Sequence, residues 1–587
     1  MRFAKDSAAP AVDELLLTDA APAAAPAIPD AADPSITKRA DALLERVVAD
    51  APHPWTCLVD ERRKRLYVSL WAQAAVAVID TAEWKLLARI AVEDHPNEMV
   101  MSPDGTRLFV ANGKGVISDS NRNGPRPGYD PDAPTPDYIG GLFDGTVSLI
   151  DLPDADDFER RMRSWTARAF ACRPPRAETV FSADELEGHP IPVLEGTTSP
   201  ITHVLYVIKE NRTYDQVLGD MPEGRGDPTL CLFPENVTPN HHALAREFVL
   251  LDNFYVESEV SADGHEWTMG AYATDFVERH WPLSHGHNKR KKFTYPSEGH
   301  FEIARPAGGY LWDRAIAAGV SFRSYGEWVA NGPTPDAPGT PKAKALEGLI
   351  DPLYQSFDQE YSDLKRADRF IAELSRFEAL GEMPRLQVVR LPNDHTSGTT
   401  PGSLTPTAFV AENDLALGRV VEAVSRSKFW PTTAIFVVED DAQNGSDHID
   451  AHRTVALVIS PWAQHGTVDS SLYSTSSMLR TIELILGLEP MSQFDAAALP
   501  MVRSFAKRAE ASAYRCRPAT VPLDARNAAT AWGAAASLVV DFSKEDAADD
   551  LLLNEIVWRS VRGAAAPMPP PRRAAFVFAE EEEADDD

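Results

Sequence analysis

From residue 201 onward the sequence repeats one pattern: a short unbroken apolar run, then a longer stretch with apolar residues at helical spacing. Val204-Leu205-Tyr206-Val207-Ile208, Ala434-Ile435-Phe436-Val437-Val438 and Val455-Ala456-Leu457-Val458-Ile459 are such runs, and Pro384 to Leu391 is a fourth. A strand covered on both faces has no polar side to show, so it reads as continuous apolar residues and not as alternation. Between the runs, Asn413 to Ser427 places Leu415, Leu417, Val420, Val421 and Val424 at helical spacing. Strands alternating with helices predict an α/β domain, a mostly parallel sheet flanked by helices. All four runs are expected to be parallel strands, and sheets of this kind carry their chemistry just past the strand C-termini.

The strand ends are unusually polar. After the first run comes Lys209-Glu210-Asn211-Arg212-Thr213-Tyr214-Asp215. After Val388 to Leu391 comes Asn393-Asp394-His395-Thr396, and after Ile435 to Val438 comes Glu439-Asp440-Asp441, running on to Asp447-His448. Asp450-Ala451-His452-Arg453 then leads into the next strand. Adjacent carboxylates repel and raise each other's pKa unless a cation sits between them. Imidazole with carboxylate suits zinc or similar first-row metals. Two such ions about 4 Å apart would clamp the attacking and leaving oxygens of an in-line phosphoryl displacement. Taken singly, each cluster has a plainer reading: Glu210 as a helix cap, Asp447-His448 as a pair for Arg453. Several at the ends of one sheet point to a divalent-metal site, zinc first, with manganese, calcium or magnesium as alternatives.

Residues 53–152 follow a different pattern of short strands. Leu66-Tyr67-Val68-Ser69-Leu70 is followed by Val76-Ala77-Val78-Ile79-Asp80, and the phrase returns as Leu108-Phe109-Val110-Ala111-Asn112 and Val147-Ser148-Leu149-Ile150-Asp151. The two Leu-aromatic-Val starts lie 42 positions apart, a propeller-blade period. Ser102-Pro103-Asp104-Gly105 is a turn, since Pro presets φ and Gly accepts φ > 0. The segment resembles the YVTN-type propeller repeats of YncE-like proteins and is expected to be a partial all-β propeller. A closed propeller takes about four to eight blades, and about two are visible, with Gly113 to Gly145 read as an inserted loop. Open strand edges would then invite pairing into an oligomer.

The remaining segments read as connectors. Residues 1–52 form an Ala/Pro-rich leader with a helix allowed over Ile36 to Val48, 153–200 a linker with a helical stretch at Arg160 to Phe170, and 563–587 an acidic tail. Lys+Arg total 57 against 88 Asp+Glu, for a net charge of −31. Seven of those acids sit in the last eight residues, so the rest still carries −24. A nucleic-acid binder needs a basic face, which this balance argues against. The four cysteines show no CxxC spacing, and no apolar run reaches the roughly 20 residues of a membrane span. The Ala/Pro stretch after Met1 is no export signal.

The strand-end motifs together resemble the bacterial phosphoesterase family that holds acid phosphatases and phosphatidylcholine-hydrolysing phospholipases C, within the alkaline phosphatase superfamily. Ile208-Lys209-Glu210-Asn211-Arg212-Thr213-Tyr214-Asp215 looks like its opening motif, with Asn393-Asp394-His395-Thr396 and Glu439-Asp440-Asp441 through Asp447-His448 following in order. Propeller repeats followed by such a domain, here 201–562, resemble the bifunctional YncE-like/alkaline-phosphatase-family proteins. Relatives of this kind are often periplasmic or secreted. The resemblance implies metal ligation by Asn211 with Glu210, by Asp440 and Asp441, and by Asp394 and His395. His395 is also a candidate to protonate the leaving group. His448 and His452 are candidates for a remaining ligand or a phosphate contact, with His448 a catalytic candidate and His452 a ligand of a second ion.

The same resemblance places a hydroxyl nucleophile after the strand Phe248 to Tyr255. Related enzymes follow it with Pro-Asn, which is missing here. Ser261 is the nucleophile expected, Thr268 the alternate, and Asp263 or His265 could fill the slot as a ligand. Arg212, His265 and Arg453 are expected to contact substrate. The implied activity is metal-dependent hydrolysis of phosphoric esters, on a small phosphate ester or a phospholipid head group. Sulfate-ester hydrolysis is a related activity of the superfamily. The alternative is a non-catalytic scaffold in which a propeller-derived interaction module precedes a degenerate phosphoesterase domain.

Overall fold

A computed structural model describes residues 54–115, 144–153, 157–171, 181–194, 196–286 and 293–572, with one short strand pairing between Arg2–Phe3 and Val12–Asp13. The Ile36–Val48 helix, most of the leader and of the Gly113–Gly145 loop, and the tail beyond residue 572 lie outside the described residues. The chain divides into two compact units, 1–175 with 575–587, and 176–574.

The first unit contains two antiparallel sheets. Strands β1 (Pro54–Asp60), β2 (Arg65–Leu70), β3 (Ala75–Asp80) and β4 (Lys85–Ala91) form one, and β5 (Asp94–Met101), β6 (Arg107–Lys114) and β7 (Thr146–Asp151) the other. The 42-residue recurrence is a recurrence of hairpin register. Arg65 faces Asp80 and Leu66 faces Ile79 across β2–β3, and Arg107 faces Asp151 and Leu108 faces Ile150 across β6–β7. The Ser102–Gly105 turn joins β5 to β6, with Gly105 at φ 73° and its N–H donating to the Ser102 carbonyl at 2.8 Å. Tyr67, Val78, Ile90, Met99, Leu108, Val110 and Ile150 form one core, joined by Met162 of helix α1 (Phe158–Ala171). The described residues of this unit include the short Arg2–Phe3/Val12–Asp13 pairing, these two antiparallel sheets and helix α1. They form no closed propeller.

The second unit is built on a seven-stranded mixed sheet flanked by helices. Its order is β10 (Phe322–Tyr325), β11 (Leu386–Leu391), β8 (His203–Lys209), β12 (Thr433–Glu439), β13 (Ala456–Ile459), β9 (Val249–Leu251) and β14 (Thr467–Asp469). Strands β10, β11, β8 and β12 are mutually parallel. β13 runs antiparallel to both neighbours, against expectation. An apolar run records burial on two faces and says nothing of direction, so β13 looked like its neighbours. Every residue of β11 and β12 is buried. The helix expected at Asn413–Ser427 is longer, α6 (Pro406–Arg426). Trp312 and Trp328 are core. Among the described residues no helix is long and apolar enough to cross a membrane.

Ile435 lies in the most central strands of this sheet and is fully buried. Ile435→Ala is expected to destabilise the second unit by about 3 kcal/mol, read as a shifted midpoint in urea denaturation.

Candidate metal centre

Three parallel strands end level with one another. Lys209 at the end of β8 lies in register with Leu391 of β11 on one side and Glu439 of β12 on the other. The segments that follow therefore leave the sheet side by side, which brings Glu210–Arg212, Asp394–His395 and Asp440–Asp441 together although they are far apart in sequence. The Glu210 N–H donates to Asp394 Oδ1 at 3.1 Å, and the Asp440 N–H to the Lys209 carbonyl at 2.9 Å.

Helix α4 (Ser261–Gly270) closes the group. It approaches so closely that a Cβ on Gly264 would stand 2.7 Å from the Asp440 carbonyl oxygen, so only glycine fits there. Ser261 and His265, one turn apart, then face the strand ends together. Asn211 Nδ2 donates to Asp441 Oδ2 at 2.8 Å and to Ser261 Oγ at 3.4 Å, and Ser261 Oγ donates to Asp441 Oδ2 at 3.2 Å. His265 Nε2 lies 3.4 Å from Glu210 Oε1 and 3.5 Å from Asp440 Oδ2. The first N–H groups of α4 are held by a residue distant in sequence: Ser261 and Ala262 donate to the two Asp546 carboxylate oxygens at 2.9 and 2.8 Å.

The electrostatics are those of a site built around positive charge. Both oxygens of Asp440, Asp441 Oδ1, Asn211 Oδ1 and Glu210 Oε2 are buried and receive no hydrogen bond. Such groups are rare in native folds and call for a partner. Burial, and then the charge of Glu210, pushes Asp440 well above the usual carboxylate range, and burial with Asp440 does the same to Asp441. Glu210 behaves in the opposite way. Burial would raise it, but the Arg390 guanidinium and His265 hold it at about 2. Buried carboxylate and carboxamide oxygens without donors, next to the Glu210–His265–Asp440 group whose ligand atoms lie within 4.8 Å of one another, fit a divalent cation.

Two of the chain's own buried cations pair with these acids. Lys209 Nζ donates to Asp394 Oδ2 at 2.7 Å and to Glu439 Oε1 at 2.8 Å. Arg390 Nη2 donates to Glu210 Oε1 at 2.6 Å and Nη1 to Glu298 Oε1 at 3.1 Å. Lys209 and Arg390 each interrupt an otherwise apolar run. That signal was available in the sequence. Glu298, Glu327 and Asp546 carried none, because nothing near them in sequence marks them as part of the group.

The other expected site residues have different surroundings. Asp394 is held by Lys209. His395 donates from Nδ1 to the Thr396 carbonyl at 2.8 Å, and burial lowers its pKa even against Glu210. Arg212, expected at substrate, is fully buried and donates to the backbone carbonyls of Asp394 and His395 at 2.9 and 2.8 Å. In this position it fixes the loop. His448 and Arg453 belong to a separate cluster. His448 Nδ1 is 2.6 Å from Asp215 Oδ2, and Arg453 pairs with Asp215 at 2.9 Å and Asp447 at 3.0 Å. Asp215, Asp447 and His448 have metal-ligand spacing, but the Arg453 guanidinium already supplies their positive charge. His452 pairs with Asp450 and Glu259 at 2.8 and 3.1 Å. Thr268 Oγ1 donates back to the His265 carbonyl at 3.2 Å, and Asp263 accepts from the N–H groups of Glu259 and Val260. Of the hydroxyls weighed as nucleophile, Ser261 is the one hydrogen-bonded to Asp441. Of the plainer histidines, His241 pairs with Asp414, His242 with Asp220 and His285 with Asp550. His280 Nδ1 donates to the Phe276 carbonyl, and His287 with the basic run 289–292 lies outside the described residues.

Glu266, beside His265, offers a pH test of how α4 is anchored. Its oxygens accept from Ser297 Oγ at 2.8 Å and Tyr310 Oη at 2.9 Å, and burial raises its pKa from 4.5 to about 8. A raised acid contributes stability that is fully present below its unfolded pKa and lost as pH rises through its folded one. Wild type is therefore expected to lose a few kcal/mol relative to Glu266→Gln between pH 4.5 and about 8. Denaturation midpoints of the two proteins across that range check it.

Comparison with known proteins comes from sequence and from fold. No curated protein matches this chain. Among solved structures, a protein of the alkaline phosphatase superfamily from Vibrio parahaemolyticus is 14% identical, covering 53% of this chain and 72% of its own at a TM-score of 0.35. A putative sulfatase from Bacteroides fragilis is 12% identical, covering 53% and 78% at 0.35. Human ectonucleotide pyrophosphatase/phosphodiesterase 5 is 17% identical, covering 40% and 56% at 0.25. Residues 225–489, which include Ser261, Arg390, Asp394, His395, Asp440 and Asp441, match the sequence model of the Phosphoesterase family.

Proposed function

We propose that this chain is a metal-dependent hydrolase of phosphoric esters in which Ser261 is the attacking group. The observation that carries the reading is the contact of Ser261 Oγ with Asp441 and Asn211, inside a nest of buried carboxylate oxygens without donors. The match of residues 225–489 to the Phosphoesterase family supports it.

Asn211, Asp440 and Asp441 would hold the ion, with Glu210 beside them. With oxygen donors leading, manganese, calcium or magnesium suits the centre as well as zinc. A divalent ion held there would supply a lowered pKa for the serine hydroxyl and compensation of charge on the phosphoryl oxygens. The chain's own residues do the rest. Asn211 and Asp441 orient Ser261 Oγ, and Asp546 fixes the start of its helix. Ser261 Oγ, its proton released to solvent, would bond to phosphorus as the phosphorus–ester oxygen bond breaks. The Nδ1 donation of His395 to Thr396 leaves Nε2 as the basic ring nitrogen. In its protonated form His395 would give its Nε2 proton to the leaving ester oxygen, and as the neutral base it would take one from the water that then breaks the Ser261 Oγ–phosphorus bond.

Hydrolysis of p-nitrophenyl phosphate and bis-p-nitrophenyl phosphate, with and without chelator, tests the reading. Chelator-sensitive turnover is expected, lowered on the order of 10³-fold or more in Ser261→Ala and in Asp441→Asn. The preferred ester separates monoesterase from diesterase, and a phosphatidylcholine arm tests the phospholipid head group. Bound metal without turnover on any of them would point to an untested substrate or another nucleophile, and neither metal nor turnover in folded protein would favour the non-catalytic scaffold.

A further inference from the structure

We propose that the cavity walled by Tyr255, Glu257, Tyr473, Ser476 and Phe494 is a binding site for a primary ammonium group carried on an apolar body. The inference goes beyond the metal-dependent reading and does not rest on it.

Two short strands bring the wall together. Phe254–Tyr255 pairs in parallel with Tyr473–Ser474, Phe254 in register with Tyr473 and Tyr255 with Ser474. Both segments therefore leave the pairing in one direction. One continues to Glu257, the other into the helix Thr475–Leu486. The Ser476 N–H, in the first turn of that helix, donates to the two Glu257 carboxylate oxygens at 3.3 and 3.4 Å. The rest of the wall comes from the helix Gln493–Ala497 and the residues just after it. Ser492 Oγ anchors that helix by donating to the Ala271 carbonyl at 2.9 Å, and Phe494 packs edge-on against Trp267 with ring centroids 5.1 Å apart. The space between these segments is about 620 Å³, the size of a small-molecule site.

Its chemistry is one-sided. Leu472, Phe494, Ala497 and Leu499 make the wall apolar, and Glu257 is the one charged side chain in it. Elsewhere in this unit buried acids have a cation at hand: Lys209 serves Asp394 and Glu439, and Arg453 serves Asp215 and Asp447. Glu257 pairs with no lysine, arginine or histidine among the described residues. Burial raises its pKa, although the Ser474, Ser476 and Thr475 hydroxyls stand close enough to oppose the rise. A carboxylate on an apolar wall without a cation of its own is complemented by a cationic ligand. The hydroxyls select the kind of cation. Ser476 Oγ and Tyr473 Oη are buried and make no hydrogen bond of ordinary geometry, so each keeps lone pairs to spare. A primary ammonium offers three N–H donors to such oxygens and to the carboxylate, whereas a quaternary ammonium offers none. The Tyr255 and Phe494 rings suit the apolar body.

The test is a calorimetric titration of the full-length protein, at about 0.15 M salt to screen its surface charge. Four probes share one six-carbon chain: hexylammonium, hexyltrimethylammonium, hexanol and hexyl sulfate. Hexylammonium is expected to bind once per chain, at least about tenfold tighter than hexanol or hexyltrimethylammonium, since they lack its charged hydrogen bonds. Hexyl sulfate is expected not to bind. Glu257→Gln is expected to lose the preference for hexylammonium over hexanol. Ala497→Trp, which fills the cavity and leaves Glu257 in place, is expected to lose binding of both. Equal or tighter binding of any of the other three probes, an unchanged preference in folded Glu257→Gln, or no binding of hexylammonium overturns the assignment. If circular dichroism finds Glu257→Gln unfolded, Ala497→Trp decides, at a position exposed on the surface. Hexylammonium still bound there places the ion elsewhere on this acidic chain and overturns the assignment as well. No outcome depends on bound metal or ester turnover, so failure here is distinct from failure of the hydrolase reading.

Discussion

A buried charge must be matched on the spot, and this requirement organises the second unit. At least six acids, Glu210, Glu298, Glu327, Asp394, Glu439 and Asp440, sit fully buried around the ends of β8, β11 and β12. Water is not available to solvate them, and an isolated carboxylate in such surroundings is strongly disfavoured. The chain answers by placing Lys209 and Arg390 on the strands themselves, at positions where neighbours are apolar. Each therefore has a fixed backbone and a fixed set of partners. Ion pairs of this kind are weak evidence for added stability. Their effect here is positional: they define where each acid stands, and which oxygens stay uncompensated.

Packing supplies the remaining constraint. Level strand ends present three loops side by side, and Gly264 allows α4 to touch the last of them. Ser258 Oγ donating to the Asp440 carbonyl at 2.6 Å holds the same approach from the other side of the turn. The distance between Ser261 and Asp441 is thus set by backbone contact between a helix and a strand end, which is stiffer than any side-chain arrangement. Arg212 adds to this by tying the Asp394–His395 carbonyls to the segment after β8.

Much of the site could be read in the sequence because strand ends are legible. Apolar runs stop abruptly at Lys209, at Leu391 and at Glu439, and the residues next in line are the ones that meet. What linear reading missed follows from geometry. His448 and Arg453 stand close to Asp441 in sequence, yet the chain turns and delivers them to Asp215 and Asp447. Arg212 has the chemistry of a ligand contact, but its neighbours are carbonyls. The direction of β13 is invisible, since a parallel and an antiparallel core strand bury the same faces. In the first unit the 42-residue repeat of strand phrases was legible, and the structure adds the Arg–Asp and Leu–Ile facing pairs. The closure of a propeller was not, because closure depends on how many strands are present and not on what each one says.

The carboxylate of Asp546 grips the first N–H groups of the serine-bearing helix across a separation of 285 residues. Chains are made at about 5 to 20 residues per second, so on the order of 15 to 60 seconds separate the synthesis of the serine from that of its clamp. Throughout that interval the serine helix starts with open N–H groups, and the geometry around Ser261 lacks one of its fixed points. The arrangement around Ser261 is in this sense set late, after residue 546 has been made. A nascent chain that has already laid down strands β8 to β14 still carries an unset centre, which reaches its final form only once Asp546 has left the ribosome.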